Sequence, residues 1–303
     1  MDDILGKEED IMERNKTIIY KVMAAALVAL SLTSCVKDDL FDTPHPDRGA
    51  VVITTEWAEA LAESDIPASY FLSMDGGAAR QANEKTFTYP DLLTPGEHSL
   101  LVYNEPQGLT LGGTTAKVNL LPDGTAEPMP GYLFSAEQKL AVVQDDTLRV
   151  SIPMKRRVCP ITINITLSGE NTGKIAKIEA ELSGVAGSVD MQSGISGTEN
   201  LTLHPVVGQA SANTRAYTEG KVELKCRVLG INKTERQMLT VMVTMEDGYV
   251  STVTSDLSEY LKNLNTDMNP IVLSGTVDSP QDGHFSGTIG DWEVVSGGDI
   301  DAN

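Results

Sequence analysis

Cys159-Pro160-Ile161-Thr162-Ile163-Asn164-Ile165-Thr166-Leu167-Ser168 decides the fold. Cys159, Ile161, Ile163, Ile165 and Leu167 share one parity, and polar Thr162, Asn164 and Thr166 fill the other. Strict alternation is the period of a half-buried strand, and β-branched side chains suit a pleated surface. Just upstream, residues 147–154 repeat the pattern, with Leu148, Val150, Ile152 and Met154 set against Arg149, Ser151 and Pro153. Residues 221–229 and 237–246 read as further strong strands. Nearer the start, 51–57 places Val51, Ile53 and Trp57 on one face, and 70–74, 86–89 and 97–104 follow as shorter strands.

Turn chemistry punctuates these runs. Asp75-Gly76, Asp123-Gly124, Asp247-Gly248 and Asp282-Gly283 offer a glycine that tolerates positive φ, as hairpins require. Thr94-Pro95-Gly96 adds a proline turn. Short strands at regular spacing indicate an all-β chain built of sandwiches, not a parallel α/β sheet. One short helix is expected over residues 255–265, where Leu257, Tyr260, Leu261 and Leu264 fall at helical spacing behind Ser255 or Asp256 as N-cap. Residues 121–131 hold Pro122, Pro128 and Pro130 and lack periodicity. The organisation expected is an N-terminal β-sandwich domain over 50–150 and a C-terminal one over 151–303.

The first residues read differently. Arg14, Lys16 and Lys21 precede an apolar run from Val22 to Leu32, which ends in Leu32-Thr33-Ser34-Cys35. That is the n-region, h-region and cleavage site of a secretory signal, here residues 1–34. The run is shorter than the ~20 apolar residues a bilayer span needs. Residues 2–10 are acidic, the wrong sign for an n-region, so the native start is expected at Met12. Thr43-Pro44-His45-Pro46 stiffens a tether over 35–49.

The 303-residue chain carries a net charge of −20. Residues 1–34 hold six acids and four bases, so the remaining 269 residues keep −18. Such an excess argues against nucleic-acid binding and against electrostatic adhesion to an anionic bilayer. The four histidines are scattered, and no zinc-protease helix, nucleophile elbow, phosphate loop or dinucleotide fingerprint occurs. Asp145-Asp146 lacks the spacing of a calcium loop and reads as a solvated face. The residues call for no enzyme, cofactor or metal. Lys155-Arg156-Arg157 reads as a short charged loop, with protease sensitivity as the alternative. Aromatic residues make up 5% of the chain, too few for an evident carbohydrate platform, and Trp57 reads as core. Cys159 and Cys226 both fall on buried parities. Two buried thiols are the simpler reading, and a disulfide stays open because parity does not establish proximity.

Together these pieces resemble a known family. Leu32-Thr33-Ser34-Cys35 resembles a bacterial lipobox, and Lys37-Asp38-Asp39 the export tag of surface lipoproteins of the Bacteroidetes. The Pro-His-Pro tether, the strand ending in Trp57, Leu133-Phe134-Ser135, the 147–154 strand, Leu182-Ser183-Gly184-Val185-Ala186-Gly187 and the terminal Gly290-Asp291-Trp292 resemble fimbrillin-type lipoproteins, closest to the anchor and accessory subunits. The resemblance implies two β-sandwich domains of transthyretin-like, Greek-key topology. It implies cleavage before Cys35, acylation there, and attachment to outer-membrane lipid, with Lys37, Asp38 and Asp39 directing surface exposure. It implies a role in cell adhesion and partners that are other fimbrial subunits joined by β-strand addition. In the family's shaft subunits an arginine-specific protease removes the first strand, and a neighbour's strand fills the groove. Here residues 36–47 ahead of Arg48 form no apolar strand, which favours a subunit that keeps its first strand and its lipid. Residues 285–295 form either the last strand of their own domain or a strand offered to a partner. The alternative function is a surface glycan-binding lipoprotein for nutrient capture.

Overall fold

Alternating sequence becomes paired strand wherever the computed structural model describes the chain, at residues 47–168, 175–208, 221–278 and 289–294. The first ten strands are β1 (Ala50–Glu56), β2 (Tyr70–Met74), β3 (Arg80–Ala82), β4 (Thr86–Thr88), β5 (Gly96–Tyr103), β6 (Leu109–Gly112), β7 (Thr115–Val118), β8 (Phe134–Val142), β9 (Thr147–Pro153) and β10 (Lys155–Arg156). They are followed by β11 (Cys159–Ser168), β12 (Ile175–Val185), β13 (Ser188–Asp190), β14 (Leu201–Leu203), β15 (Val206–Gly208), β16 (Lys221–Val228), β17 (Met238–Met245) and β18 (Val250–Asp256). A single-turn helix α1 (Ser258–Leu261) precedes β19 (Ile271–Asp278) and β20 (Gly290–Val294).

The protein is all-β, and its strands make two sandwiches. The first packs sheet β4-β1-β9 against β10-β8-β5-β2-β3, and the second packs β15-β16-β11-β19-β20 against β14-β12-β17-β18. The first core gathers Val51, Ile53, Leu72, Leu100, Phe134, Leu140, Ile152 and their neighbours. The second gathers the inward residues of β11, β12, β16, β17 and β19. On β11 the alternation holds without a break: Cys159, Ile161, Ile163, Ile165 and Leu167 are all buried. Each of the four aliphatic side chains removed from water contributes about 1.5–3 kcal/mol.

Each sandwich places its first strand parallel to a late one. β1 runs beside β9, pairing Val51 with Leu148 and Ile53 with Val150, while β11 runs beside β19, pairing Ile161 with Ile271 and Ile163 with Leu273. Parallel neighbours need a long connection, and here the rest of each sandwich supplies it.

A fifth sheet, β13-β7-β6, takes β6 and β7 from the first half of the chain and β13 from the second. Beneath it Leu101, Leu133, Val158, Val189, Met191 and Leu229 form a separate apolar cluster. This explains the run Leu100-Leu101-Val102 in β5, which is buried on both faces. The described residues from Asp47 onward accordingly form one compact unit.

The turns follow their sequences. Asp75 (φ 52°) and Gly76 (φ 69°) make the two positive-φ positions of a type I′ hairpin turn, closed by Gly77 N–H donating to Met74 O at 2.8 Å. Asp282-Gly283 lies outside the described residues. The helix expected over 255–265 is a correction: α1 has four residues, because Ser255 and Asp256 belong to β18. Leu257, Leu261 and Leu264 are buried as their spacing requires, but turns replace the second helical turn.

Candidate anchoring and docking sites

Cys35, Lys37, Asp38 and Asp39 lie outside the described residues. The described chain begins at Asp47, and Arg48 is the last residue before the sandwich. Arg48 is exposed, and its Nη1 donates to Leu92 O at 3.3 Å. The next residue is fixed on both sides, as Gly49 N–H donates to Leu93 O and Leu93 N–H returns a bond to Gly49 O, each 2.9 Å. A side chain at Gly49 would collide with Val143 O and Val142 Cγ1. The chain thus passes from an exposed arginine to a buried, pinned glycine in one step.

β1 follows as the central strand of its sheet, antiparallel to β4 and parallel to β9. Val51 and Ile53 are fully buried, and so is Thr55, whose hydroxyl accepts a bond from Trp57 Nε1 at 3.0 Å. Trp57 lies edge-on to Tyr70 and Phe134 at 5.9 and 5.5 Å, in the core role its parity implied. β9 is the outer strand. Among the described residues it pairs with β1 alone, and its Leu148 and Val150 are only half-buried.

The described part of the closing segment, residues 289–294, lies along its own sheet, with β20 antiparallel to β19. Ile289 is buried in the second core. Trp292 Nε1 donates to Ser255 Oγ at 2.7 Å, and Ser255 Oγ donates to Ile289 O at 3.3 Å. These bonds tie β20 to β18, the edge of the opposite sheet. Gly275 leaves the room: a Cβ there would lie 2.8 Å from Ile289 Cγ2 and 2.9 Å from Trp292 Cε3.

Cys159 and Cys226 are free, buried thiols on adjacent strands. Cys159 faces Val228 and Cys226 faces Ile161, so the two are diagonal neighbours. Diagonal Cα atoms stand about 7–8 Å apart, beyond ordinary disulfide reach. Burial pushes both thiols up to about 12.

Lys155-Arg156-Arg157 is not the charged loop its composition suggested. Lys155 and Arg156 form β10 against β8, and Arg156 is 4% exposed. Arg156 Nη1 donates to Glu59 O at 2.7 Å and Nη2 to Met268 O at 2.5 Å, bridging the segment after β1 to the loop before β19. The Glu59 carboxylate takes bonds from Lys155 Nζ and from the Arg156 amide, each 2.8 Å. Burial opposes ionisation of Glu59, but these bonds outweigh it and hold the carboxyl below its ordinary value. Arg157 Nε donates to Ser135 Oγ at 2.9 Å. The three residues line a polar cavity of about 490 Å³ with Glu59, Gly194 and residues 265–269.

The model of the fimbrillin-A associated anchor proteins Mfa1 and Mfa2 matches residues 76–296. The chain belongs to this anchor-protein family. It is therefore a fimbrial accessory protein associated with the cell envelope and with other fimbrial subunits. The fold agrees. The fimbrial anchor protein Mfa2 from Porphyromonas gingivalis superposes with a TM-score of 0.58 at 11% identity, covering 82% of this chain and 97% of that one. A candidate adhesin from Bacteroides ovatus gives 0.59 at 10% identity, covering 82% and 93%. Another from Bacteroides thetaiotaomicron gives 0.55 at 15%, covering 84% and 97%. A search of curated protein sequences finds no match. Among the described residues of this anchor-family chain, no helix is long and apolar enough to cross a membrane. The cavity beside Arg156 is the feature sequence reasoning missed, because its walls come from segments about a hundred residues apart.

Proposed function

We propose that this protein is a non-enzymatic, lipid-anchored subunit that fastens a fimbria to the outer membrane. In this reading Cys35 carries the lipid, and Lys37, Asp38 and Asp39 direct the protein to the outer face. Several acyl chains hold a protein that its negative charge would keep off an anionic surface.

One observation carries the reading: Arg48 is exposed at the entrance to the fold, and the whole of β1 lies beyond it, inside the first sandwich. A subunit that receives a neighbour's strand by losing its own needs an arginine beyond a removable strand. Cleavage after Arg48 would instead remove the tether and leave β1 paired on both edges. A subunit that keeps its first strand suits the membrane end of a polymer. Docking then proceeds by strand addition to an edge that no other described strand covers. β9 is favoured, because Leu148 and Val150 leave half-buried apolar positions for an added strand to cover. β20 is less suited to donation, since Ile289 and Trp292 are already committed to their own sandwich.

Replacing Cys35 by serine in the producing cell tests the anchor. Fimbrial subunits should move from the outer-membrane fraction to the medium together with the folded protein. Fimbriae that stay on the cell in undiminished amount would sink the reading.

A further inference from the structure

Buried charges in proteins are paired, because an uncompensated ion in a desolvated site is expensive. Arg156 departs from that rule, and the half-buried Arg157 stands beside it. The Arg156 guanidinium meets two main-chain carbonyls, and its buried Nε has no hydrogen-bond partner. Arg157 bonds a serine hydroxyl through Nε, and among the described residues no carboxylate lies within ion-pair distance of it. Of the nearby acids, Glu59 is engaged by Lys155 and by a backbone amide, and Asp190, beyond ion-pair distance of Arg157, by the Thr114 and Ser193 hydroxyls. One buried and one half-buried guanidinium therefore border a polar cavity whose volume is in the range of small-molecule sites.

The rest of the wall narrows the class of ligand. Thr266 and Asn269 are exposed at the cavity and bring a hydroxyl and an amide. Glu59 and Asp267 bring acceptor oxygens that would repel a doubly charged phosphate yet accept bonds from hydroxyl groups. A single carboxylate on a polyhydroxylated ring matches both sets, with the guanidinium groups on the acid and the oxygen-rich wall on the hydroxyls. We propose that this cavity binds a carboxylated sugar, a hexuronate unit of an acidic glycan. The site lies just beyond the end of the β1–β9 pair, where Glu56 faces Pro153, and it stands whether or not a fimbria is mounted on the protein.

Calorimetric titration of the purified full-length protein with a glucuronate oligomer, a neutral glucose oligomer of equal length and a glutamate-rich peptide tests it. The uronate is expected to bind roughly tenfold or more tightly than the neutral glycan, as expected when a charge-assisted bond is lost. Arg157→Gln should weaken uronate binding by at least about tenfold, and Arg157→Lys should restore part of it, since lysine keeps the charge without the planar fork. Should Arg157→Gln shift the unfolding midpoint, the surface variant Thr266→Val with Asn269→Ala must weaken binding with both arginines in place. Equal affinity for neutral and acidic glycans, preference for the peptide, absence of uronate binding at millimolar concentration, or indifference to both variants would overturn the proposal.

Discussion

His98 stands between two acceptors: its Nδ1 is 2.6 Å from Asp75 Oδ2, and its Nε2 is 2.8 Å from Thr94 O. Neither partner can donate, so both contacts are hydrogen bonds only when the ring carries both protons. The Asp75 carboxylate and the Thr94 carbonyl accordingly raise His98 above its ordinary value, and His98 with the Ser99 amide lowers Asp75. The pair ties the β2–β3 turn to β5.

The sign of the pH dependence follows. His98 contributes stability in full below its ordinary value near 6.5, and that contribution is lost as pH rises through the higher folded value. Asp75 contributes above its ordinary value near 3.8 and loses that contribution as pH falls through the lower folded value. Denaturant midpoints measured from pH 5 to 8 should therefore fall on the alkaline side in the wild type and stay flatter in His98→Gln. Asp75 is half exposed, so solvent screening keeps the difference near pH 6 to about 1 kcal/mol.

Cys159 and Cys226 should behave as inert core groups. In the native protein neither should react with a thiol reagent at pH 8 on the timescale on which both react in denaturant, since burial holds them near 12. Non-reducing and reducing gels should show the same mobility. Cys226→Ser should cost about 1–3 kcal/mol, the cost of a hydroxyl in an apolar core.

The C-terminal strand is held by two side chains and one missing Cβ. Gly275→Val should displace Trp292, and Trp292→Ala should remove its bond to Ser255. Either change should raise hydrogen exchange across 289–294 and leave β11, the centre of the same sheet, protected. Uniform loss of protection would mean that β20 is integral to the sandwich and not a separable edge.

The contrast between β11 and β18 shows what the chain discloses locally. β11 is legible because five apolar side chains of one parity meet no interruption. β18 buries Ser251, Val253 and Ser255 and exposes Val250, Thr252 and Thr254, so polarity does not follow burial along it, and its end resembles a helix cap. Ser255 is buried because Ile289 and Trp292 come to it from 34 and 37 residues away. β12 is obscured differently: the register shifts between Ile175 and Lys177 break its period. Arg156 is the extreme case. Charge predicts solvent, whereas the carbonyls of Glu59 and Met268 that let it be buried are 97 and 112 residues distant. The anchoring role proposed for Cys35 and Lys37-Asp38-Asp39 is read from the sequence.

Retention of β1 gives the sharpest test of where the fold begins. A chain starting at Gly49 keeps every β1 pairing and both bonds between Gly49 and Leu93 and loses only the two bonds of Arg48, to the Asp145 amide and to Leu92 O, so it should unfold cooperatively with a midpoint only slightly below that of the longer protein. A chain starting at Trp57 lacks the central strand of the first sheet and exposes the surface that Val51 and Ile53 cover, and it should fail to fold cooperatively. Ile53→Ala in the longer chain should cost about 2–5 kcal/mol, the range for emptying a fully buried aliphatic site. The discriminating measurement is the calorimetric transition of the two truncated chains side by side. A cooperative transition in the shorter chain would mean that β1 is dispensable, and the first sandwich would then be free to take a neighbour's strand in its place.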